Sequence, residues 1–509
     1  MGRGTPLARF IPALIGAVAA AAACAAPTPV QLLTADTVPA ATPVPPATTG
    51  APDTSDTSAP VDTAVPDNAA DGEPWLPGDV DLTLEPPADI TTVVTPATFD
   101  TTVITGGGRA PSPGDKLVAA AVVDIERWLN HTVTEVYGRA HRPLAGGVHA
   151  VHPDRRDPTP DCGGVATEHR DMLDYVALYC PADDFVAYDA SDIGLLGSLN
   201  NERGAMATAV VIAHEYGHVV QERIGVLNRP LPTIVLEQHA DCLAGAWMGW
   251  DDPARSLLPG RDAVLTALVA LIEVRDPVGI DPYSPGGHGT AFDRIGAFTH
   301  GYAGGAEACV ALVAEPLEVM PNTFGDLGDL ARGGDAPYDC TGVTDPECRP
   351  AGQFLGDDLD EFWSLAIGSS VDLEVVTSAA PCADGTTVGV GVTVCPDPGE
   401  VRIDEAILRP VYTTRGDFTL GYLLGRAWVE LTISATGADA ECLVGAWVGD
   451  LTLGRGRNPL RESTVITSPG DLDEAVDVIM STSVDGVHAL ERIASLRRGV
   501  LGGLDACNR

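Results

Sequence analysis

The chain has 509 residues, with 71 acidic and 30 basic side chains and a formal net charge of −41 at pH 7. This length predicts about three domains at roughly 150 residues each, and the acidity argues against a nucleic-acid partner, because binding a polyanion requires a basic surface. The 11 cysteines favour an oxidising compartment, and their odd number leaves one cysteine without a disulfide partner.

Residues 1–23 have the pattern of an export signal peptide. Two arginines precede an apolar stretch over residues 10–23, which ends in small residues immediately before Cys24. The sequence around Cys24 resembles a bacterial lipobox, whose cysteine is acylated after cleavage, although Ala21 stands where a larger aliphatic residue is commoner. Ordinary signal cleavage nearby is the alternative. In both cases we expect an extracytoplasmic protein, either lipid-anchored to the cell membrane through Cys24 or secreted, and no later apolar run is long enough to span a bilayer.

Residues 24–115 form the next predicted segment, which is rich in Pro, Thr, Ala and Asp. Such a composition lacks the apolar periodicity that offsets the entropy of ordering the chain, and its prolines favour extended conformations. We therefore expect a disordered stalk that contributes nothing to catalysis.

The remainder of the chain contains a weak internal repeat. The clearest match pairs ADCLAGAW at 240–247 with AECLVGAW at 440–447, and three further matches occur in the same order. The sequence thus predicts one domain over residues 116–312, a connector over 313–355 and a second copy over 356–509.

The repeat also predicts the disulfides, because each copy holds four cysteines at similar spacings and should close its own loops. The two cysteines of the connector are left to pair with each other. The expected bridges are Cys162–Cys180, Cys242–Cys309, Cys340–Cys348, Cys382–Cys395 and Cys442–Cys507. Sequence alone leaves other connectivities open.

The chemistry lies in the first copy, on a helix that the apolar spacing predicts from about residue 201 to 223, ending at Gly225. Within it, His214-Glu215-Tyr216-Gly217-His218 places two histidines at i and i+4 on one face, where both rings can bind the same metal ion. Glu215 stands next to the first histidine and can address a metal-bound water.

An open catalytic zinc site needs a third protein ligand. A third histidine six residues beyond the motif is excluded, because that position is Ile224. The candidate is Glu237, and Asp241 lies one helical turn later on the same face. We predict that Glu237 binds zinc and that Asp241 accepts the other ring N–H of a ligand histidine. His239 is the rival third ligand.

These residues resemble the bacterial neutral zinc metallopeptidase family, which has His-Glu-x-x-His followed by Glu-x-x-Ala-Asp-Cys. In this chain those motifs are 214–218 and 237–242, and a third, His288-Gly289-Thr290, follows before Arg294. The resemblance implies a zincin-like α+β fold, one zinc ion per chain and peptide-bond hydrolysis. It extends from about residue 162 to 309 and leaves out the stalk and the second copy.

The second copy lacks every proposed ligand. Direct alignment places Gly425 opposite His214, Arg426 opposite Glu215 and Val429 opposite His218. It also places Gly437 opposite Glu237. We therefore interpret the second copy as a degenerate, non-catalytic repeat.

The same alignment bears on two further residues of the first copy. His288 is replaced by Gly486, so it is lost together with the site, and we predict that it donates a hydrogen bond to the oxyanion of the tetrahedral intermediate. A loop histidine without a role is the alternative. Arg294 is retained as Arg492, which favours a structural role, and Tyr216 is expected in the core or at the rim.

The sequence therefore predicts a zinc-dependent peptidase that acts on a peptide or protein substrate outside the cytoplasm. Zinc on His214, His218 and Glu237 would activate a water, with Glu215 as general base. The alternative is a cell-surface interaction protein whose zinc site is vestigial or structural. A third hypothesis is that the second copy regulates the first by covering its cleft.

Overall fold

The structure is a computed structural model, and it describes most of the chain beyond residue 102. The described residues are 103–105, 112–152, 160–166, 172, 176–191, 196, 206–252, 255, 257, 260–325, 327–343, 348–380, 382–397, 399–433, 438–455, 458–461, 463, 465 and 467–507. The predicted signal peptide, Cys24 and nearly all of the predicted stalk lie outside these residues.

The first unit combines one main mixed sheet, a small hairpin and a group of helices. Its elements in chain order are β1 (Ile104–Thr105), α1 (Pro113–Tyr137), β2 (Gly147–Val151), β3 (Asp161–Cys162), β4 (Val165–Ala166), β5 (Ala177–Cys180), β6 (Phe185–Asp189), α2 (Met206–Ile224), α3 (Thr233–Met248), α4 (Arg261–Glu273) and α5 (Ala291–Leu312).

The main sheet has the strand order β1-β2-β6-β5. The pairs β1–β2 and β2–β6 are parallel, whereas β5 runs antiparallel to β6. All five residues of β6 are buried, as expected for a central strand covered on both faces. The mixed helix and sheet architecture agrees with the predicted α+β class.

Local sequence explains where the principal helices begin and end. Ser112 and Asp115 form a capping box at the start of α1, and Gly138 ends that helix in a left-handed conformation. Thr290 and Asp293 form the equivalent capping box at the start of α5. The helix carrying the histidine motif ends before Gly225, whose φ is 79°, as the sequence predicts.

A short connector helix, α6 (Leu327–Arg332), precedes the second unit. The elements of the second unit are α7 (Ala351–Ile367), β7 (Glu374–Thr377), β8 (Thr386–Gly389), β9 (Val392–Cys395), β10 (Glu400–Ile403), α8 (Glu405–Arg415), α9 (Phe418–Ile433), α10 (Ala438–Leu453), α11 (Asp471–Thr482) and α12 (Gly486–Cys507). Its sheet has the order β7-β10-β9-β8, with β7 parallel to β10 and the other pairs antiparallel.

The two units share a closely packed pair of helices joined by a disulfide. In the first unit, α3 and α5 approach so closely that a Cβ at Gly301 would overlap the carbonyl of Cys242, which is bonded to Cys309. In the second unit, Gly499 meets the carbonyl of Cys442 in the same way on α10 and α12. Only glycine allows helix backbones to approach this closely.

A buried tryptophan also takes the same partner in each unit. Trp247 donates its indole N–H to Asp124 on α1 at 3.0 Å, and Trp447 donates to Asp358 on α7 at 2.8 Å. Each acceptor also binds an arginine, Arg255 in the first unit and Arg461 in the second. These bonds satisfy polar groups that would be costly to bury unpaired.

The described residues contain five disulfides, and they are the five expected pairs: Cys162–Cys180, Cys242–Cys309, Cys340–Cys348, Cys382–Cys395 and Cys442–Cys507. Cys162–Cys180 joins the hairpin to strand β5 of the main sheet, Cys382–Cys395 lies at the second sheet, and Cys340–Cys348 lies in the connector. The other two link the paired helices described above.

The structure differs from the predicted boundaries at two places. Ile104–Thr105 pairs with β2 and α1 begins at Pro113, so residues at the end of the predicted stalk of 24–115 belong to the fold. The second unit begins at Ala351, within the predicted connector of 313–355. A two-residue strand is too short to show an alternating pattern, so no periodicity indicates β1.

Among the described residues, no helix combines the length and apolar character that crossing a bilayer requires.

Candidate metal centre

Helix α2 places His214 and His218 one turn apart on a buried face. Each histidine is only 5% exposed, and the ring centroids lie 4.9 Å apart with the ring planes perpendicular. The i and i+4 spacing stacks the side chains on one face of the helix, as the sequence predicts.

Helix α3 brings Glu237 to these two rings. Glu237 Oε2 lies 3.0 Å from His214 Nε2 and 3.5 Å from His218 Nε2. The crossing of the helices depends on Gly217 within the motif, because a Cβ there would lie only 2.7 Å from Ala240 Cα. The structure thus brings together the three ligands that the sequence predicts.

The donor set has the chemistry of a zinc site. Ligand atoms of His214, His218 and Glu237 all lie within 4.8 Å of one another. Glu237 Oε2 is buried and has no hydrogen-bond partner among the described residues. Two imidazole nitrogens and one carboxylate oxygen are a ligand set of catalytic zinc, and a cation would satisfy this buried oxygen. The residues therefore fit a zinc ion.

The electrostatics of the site suit a cation. Burial would raise the pKa of Glu237, but the neighbouring His218 and His288 hold that pKa well below its usual range. Burial would lower the pKa of His214, but Asp241 raises that pKa to about 10. The buried carboxylates thus favour positive charge at the imidazoles, and a bound cation would supply that charge.

Asp241 and Arg294 hold His214 from behind. Asp241 Oδ1 lies 2.7 Å from His214 Nδ1, so the ring directs Nε2 towards Glu237. Arg294 donates to both oxygens of Asp241 and, through Nη1, to the carbonyl of Val274 at 2.6 Å. Burial alone would raise the pKa of Asp241, but Arg294 keeps it below its ordinary value. Asp241 thus lies where the sequence predicts, and Arg294 belongs to the same network.

Gln221 holds the second histidine, and sequence reasoning gave it no role. Its Oε1 lies 3.0 Å from His218 Nδ1, and its Nε2 donates to the carbonyl of Leu236 at 2.6 Å. The signal was present in the sequence, because Gln221 follows His218 by three residues and therefore shares its helical face.

His239, the rival ligand, points away from the metal group. Its Nε2 lies 3.2 Å from Tyr137 Oη, and its Nδ1 lies 3.3 Å from Gln221 Nε2. Burial lowers the pKa of His239 to about 3, so the ring is neutral at physiological pH. The structure favours Glu237 over His239 as the third ligand.

His288 lies at the solvent-facing edge of the site. Its side chain is 31% exposed, and its Nε2 is 3.7 Å from Glu237 Oε2. Asp276 accepts the backbone N–H groups of His288 and Gly289, both at 2.8 Å, which fixes the loop. Sequence reasoning missed Asp276, because it precedes the histidine by twelve residues in an irregular segment.

Two other residues of the motif have different environments. Glu215 is 8% exposed, and its carboxylate makes no hydrogen bond with any described residue. Tyr216 is 1% exposed and belongs to the main hydrophobic core, as expected from the sequence.

In the second unit, Tyr422 has polar contacts that resemble those of His214. Tyr422 Oη donates to Glu441 at 2.5 Å and accepts from Arg492 at 2.9 Å, as His214 contacts Asp241 and Arg294. Arg426, one turn after Tyr422, also donates to Glu441 at 2.9 Å.

By these contacts, Tyr422 and Arg426 resemble His214 and His218, whereas the direct sequence alignment places Gly425 and Val429 opposite the two histidines, three residues later. The sequence does not reveal this difference of three residues, because the glycine and apolar residues of the two helices can be aligned in several registers. Neither alignment gives the second unit a histidine ligand.

Comparisons with known proteins relate the metal-site region to one family. A family model described as "Putative neutral zinc metallopeptidase" matches residues 174–310. Uncharacterized proteins of Mycobacterium bovis and Mycobacterium tuberculosis are 36% identical over 78 residues, which is 14% of this chain and 27% of each relative. The matched part thus spans about a quarter of these curated relatives. No solved structure shows significant similarity.

Proposed function

We propose that this chain, whose residues 174–310 belong to the neutral zinc metallopeptidase family, is a zinc-dependent peptidase that cleaves peptide or protein substrates outside the cytoplasm. The observation that carries the proposal is the convergence of His214, His218 and Glu237 around a buried carboxylate oxygen without a hydrogen-bond partner among the described residues. We expect one zinc ion per chain.

His214, His218 and Glu237 would hold the zinc ion, which would supply Lewis acidity to activate a water and polarise the scissile carbonyl. Glu215 is the general base of the proposal, receiving a proton from the attacking water and passing it to the leaving amine. The carboxylate of Glu215 makes no hydrogen bond with a described residue, and Glu215 follows His214 directly in the chain. Both facts support this role. His288, which is partly exposed beside Glu237, is proposed to donate to the oxyanion.

The outer residues hold the ligands in the geometry that this chemistry needs. Asp241 fixes the tautomer of His214, and Gln221 holds His218, so both Nε2 atoms are directed towards Glu237. Arg294 neutralises Asp241 and ties it to the carbonyl of Val274. Positioning of this kind raises metal affinity without contact to the substrate.

The five disulfides are compatible with an extracytoplasmic location. We further propose that Cys24 carries a lipid that anchors the protein to the cell membrane, with secretion after ordinary signal cleavage as the alternative. Labelling with a radioactive or alkyne fatty acid would distinguish them, because only the acylated form of wild type, and not Cys24→Ser, incorporates label.

We also propose that the second unit is a degenerate, non-catalytic repeat of the first. The shared glycine contacts, disulfide and buried tryptophan support a common origin, and Tyr422 and Arg426 in place of histidines support the loss of metal binding. An arginine next to Glu441 opposes a divalent cation, because like charges repel.

The test is metal analysis together with a casein assay on the mature chain. We expect about one zinc per chain, with activity abolished by a chelator and restored by zinc. Glu215→Gln should retain zinc yet lose about 10²–10⁴-fold of the turnover. Glu222→Gln, on the same helix, is the matched control and should keep its activity. Zinc binding without hydrolysis of any unstructured protein would favour the alternative of an interaction protein with a structural zinc site.

A further inference from the structure

The second unit inserts two buried charged side chains against the first turn of α5. Asp473 on α11 and Arg497 on α12 are each only 8% exposed. Helix α5 also carries Arg294, which holds Asp241, so these contacts are made to a helix that supports a metal ligand. Burying charges is costly unless they are paired, which makes the partners of both side chains informative.

Asp473 bonds to two separate segments of the first unit. Its Oδ1 accepts the backbone N–H of Phe292 at 3.0 Å, and its Oδ2 lies 2.9 Å from Arg275 Nε. Phe292 is the second residue of α5, whose N–H groups have no partners within the helix. A carboxylate at this end also interacts favourably with the helix dipole.

Both segments lead to the metal centre within two residues. Arg275 precedes Asp276, which accepts the N–H groups of His288 and Gly289. Phe292 precedes Arg294 by two residues on α5, and Arg294 holds Asp241 against His214. Asp473 therefore connects two parts of the first unit. One is the segment whose Asp276 holds the loop of His288, and the other is α5, whose Arg294 holds Asp241 against His214.

Arg497 holds the same turn from the neighbouring helix. Its guanidinium lies 4.9 Å from the ring centre of Phe292 and packs on Gly296, where a Cβ would come within 2.8 Å of Cζ. It donates to the carbonyl of Phe292 at 3.3 Å and to that of Glu318 at 2.8 Å. The start of α5 is thus held on both its N–H and carbonyl sides by the second unit.

We propose that Asp473 is a positioning residue of the metal centre, acting through Arg275 and the start of α5 on the network that orients the ligands. The proposal rests on the proposed zinc site. It assigns the second unit a supporting role, in contrast to a regulatory cover, so that loss of its contacts lowers metal affinity.

The experiment measures the zinc dissociation constant of the mature chain by competition with a chromogenic chelator. Asp473→Ala removes both contacts and should weaken zinc binding about 10-fold, the lower end of the effect of losing an outer partner of a metal ligand. Asp473→Asn keeps an acceptor for Phe292 but loses the charge opposite Arg275, so an intermediate effect is expected. Asp477→Ala, on the same helix and paired with Arg415 of the second unit, is the matched control.

The affinity is measured at a temperature at which the zinc-free form of every variant is folded, as checked by circular dichroism. Loss of global stability alone then leaves the constant unchanged. An Asp473→Ala constant within twofold of wild type would overturn the proposal while leaving the zinc site intact. If Asp473→Ala does not fold, Asp473→Asn decides by the same criterion. A wild type that binds no zinc would overturn both this proposal and the proposed function.

Discussion

Arg294 binds Asp241 through two hydrogen bonds, from Nε to Oδ2 at 2.9 Å and from Nη2 to Oδ1 at 2.8 Å. The same Oδ1 lies 2.7 Å from His214 Nδ1, so one carboxylate serves a cation and an imidazole together. All three residues are at most 5% exposed. This arrangement fixes the ring in the tautomer that leaves Nε2 free to bind metal.

Replacing Asp241 should therefore weaken metal binding, although Asp241 acts on the metal only through His214. In Asp241→Asn, the single amide oxygen cannot serve both Arg294 and His214, and the buried guanidinium loses its counter-charge. We expect zinc affinity to fall about 10–100-fold. Chelator competition measures this, with the exposed Asp262→Asn as control. Unchanged affinity in Asp241→Asn would show that His214 needs no outer partner.

The glycine inside the histidine motif should be equally sensitive. A Cβ at Gly217 would lie 2.7 Å from Ala240 Cα, so Gly217→Ala must separate α2 from α3. We expect a loss of about 1–3 kcal/mol in the free energy of unfolding, as in other overpacked cores, together with weaker zinc binding. Urea unfolding of the zinc-free and zinc-bound forms measures both effects.

Gly352→Ala is the matched control for this substitution, because the nearest atom to a Cβ there is 3.5 Å away. Alanine fits that helix and should leave stability unchanged or raise it by up to about 1 kcal/mol. Equal stability of Gly217→Ala and wild type would mean that the helices adjust without cost.

Sequence patterns were sufficient for the parts of this molecule that depend on local spacing. The i and i+4 histidines, Glu237 one turn before Asp241, and the five disulfide pairs all follow from short-range periodicity or from the repeat. The structure brings His214, His218 and Glu237 together, as predicted. Residues that share a helical face must lie close in space, so the proximity of His214 to His218 is contained in the sequence, whereas Glu237 reaches them from another helix.

Contacts between distant segments were not predictable in this way. Asp276 and Asp473 reach the site network from a loop and from the second unit, and nothing in their spacing marks them. The offset between Tyr422 and His214 likewise became visible only from shared partners. Such contacts depend on how distant segments pack together, and residue spacing in a single sequence does not reveal this packing.

Metal removal should destabilise the protein as well as inactivate it. A ligand that binds only the folded state stabilises it by RT ln(1 + [L]/Kd), which is about 2.7 kcal/mol when free zinc is 100 times Kd. We expect EDTA to lower the melting temperature and zinc to restore it. His214→Ala should melt at the same temperature with and without zinc, whereas Glu215→Gln should respond as wild type does. A zinc-dependent shift in His214→Ala would indicate a second metal site.

Glu474 gives the protein a stability that depends on pH through a group far from the metal centre. Burial, together with the charges of Asp417 and Asp335, raises the pKa of Glu474 from 4.5 to about 9. The folded protein thus binds a proton that the unfolded chain has released between these two values. Folding stability should therefore decrease as pH rises from about 5 to 9.

Glu474→Gln should remove this pH dependence, because the amide is neutral throughout and can still accept the N–H of Phe418. We expect the variant to match wild type at pH 5 and to exceed it by roughly 1–3 kcal/mol at pH 8, since its folding no longer requires the uptake of a proton that the unfolded chain has released. Urea unfolding at the two pH values measures the difference. Asp477→Asn, whose side chain is 41% exposed on the same helix, should follow wild type at both. If Glu474→Gln is no more stable than wild type at pH 8, the carboxylates near Glu474 do not repel one another appreciably in the folded state.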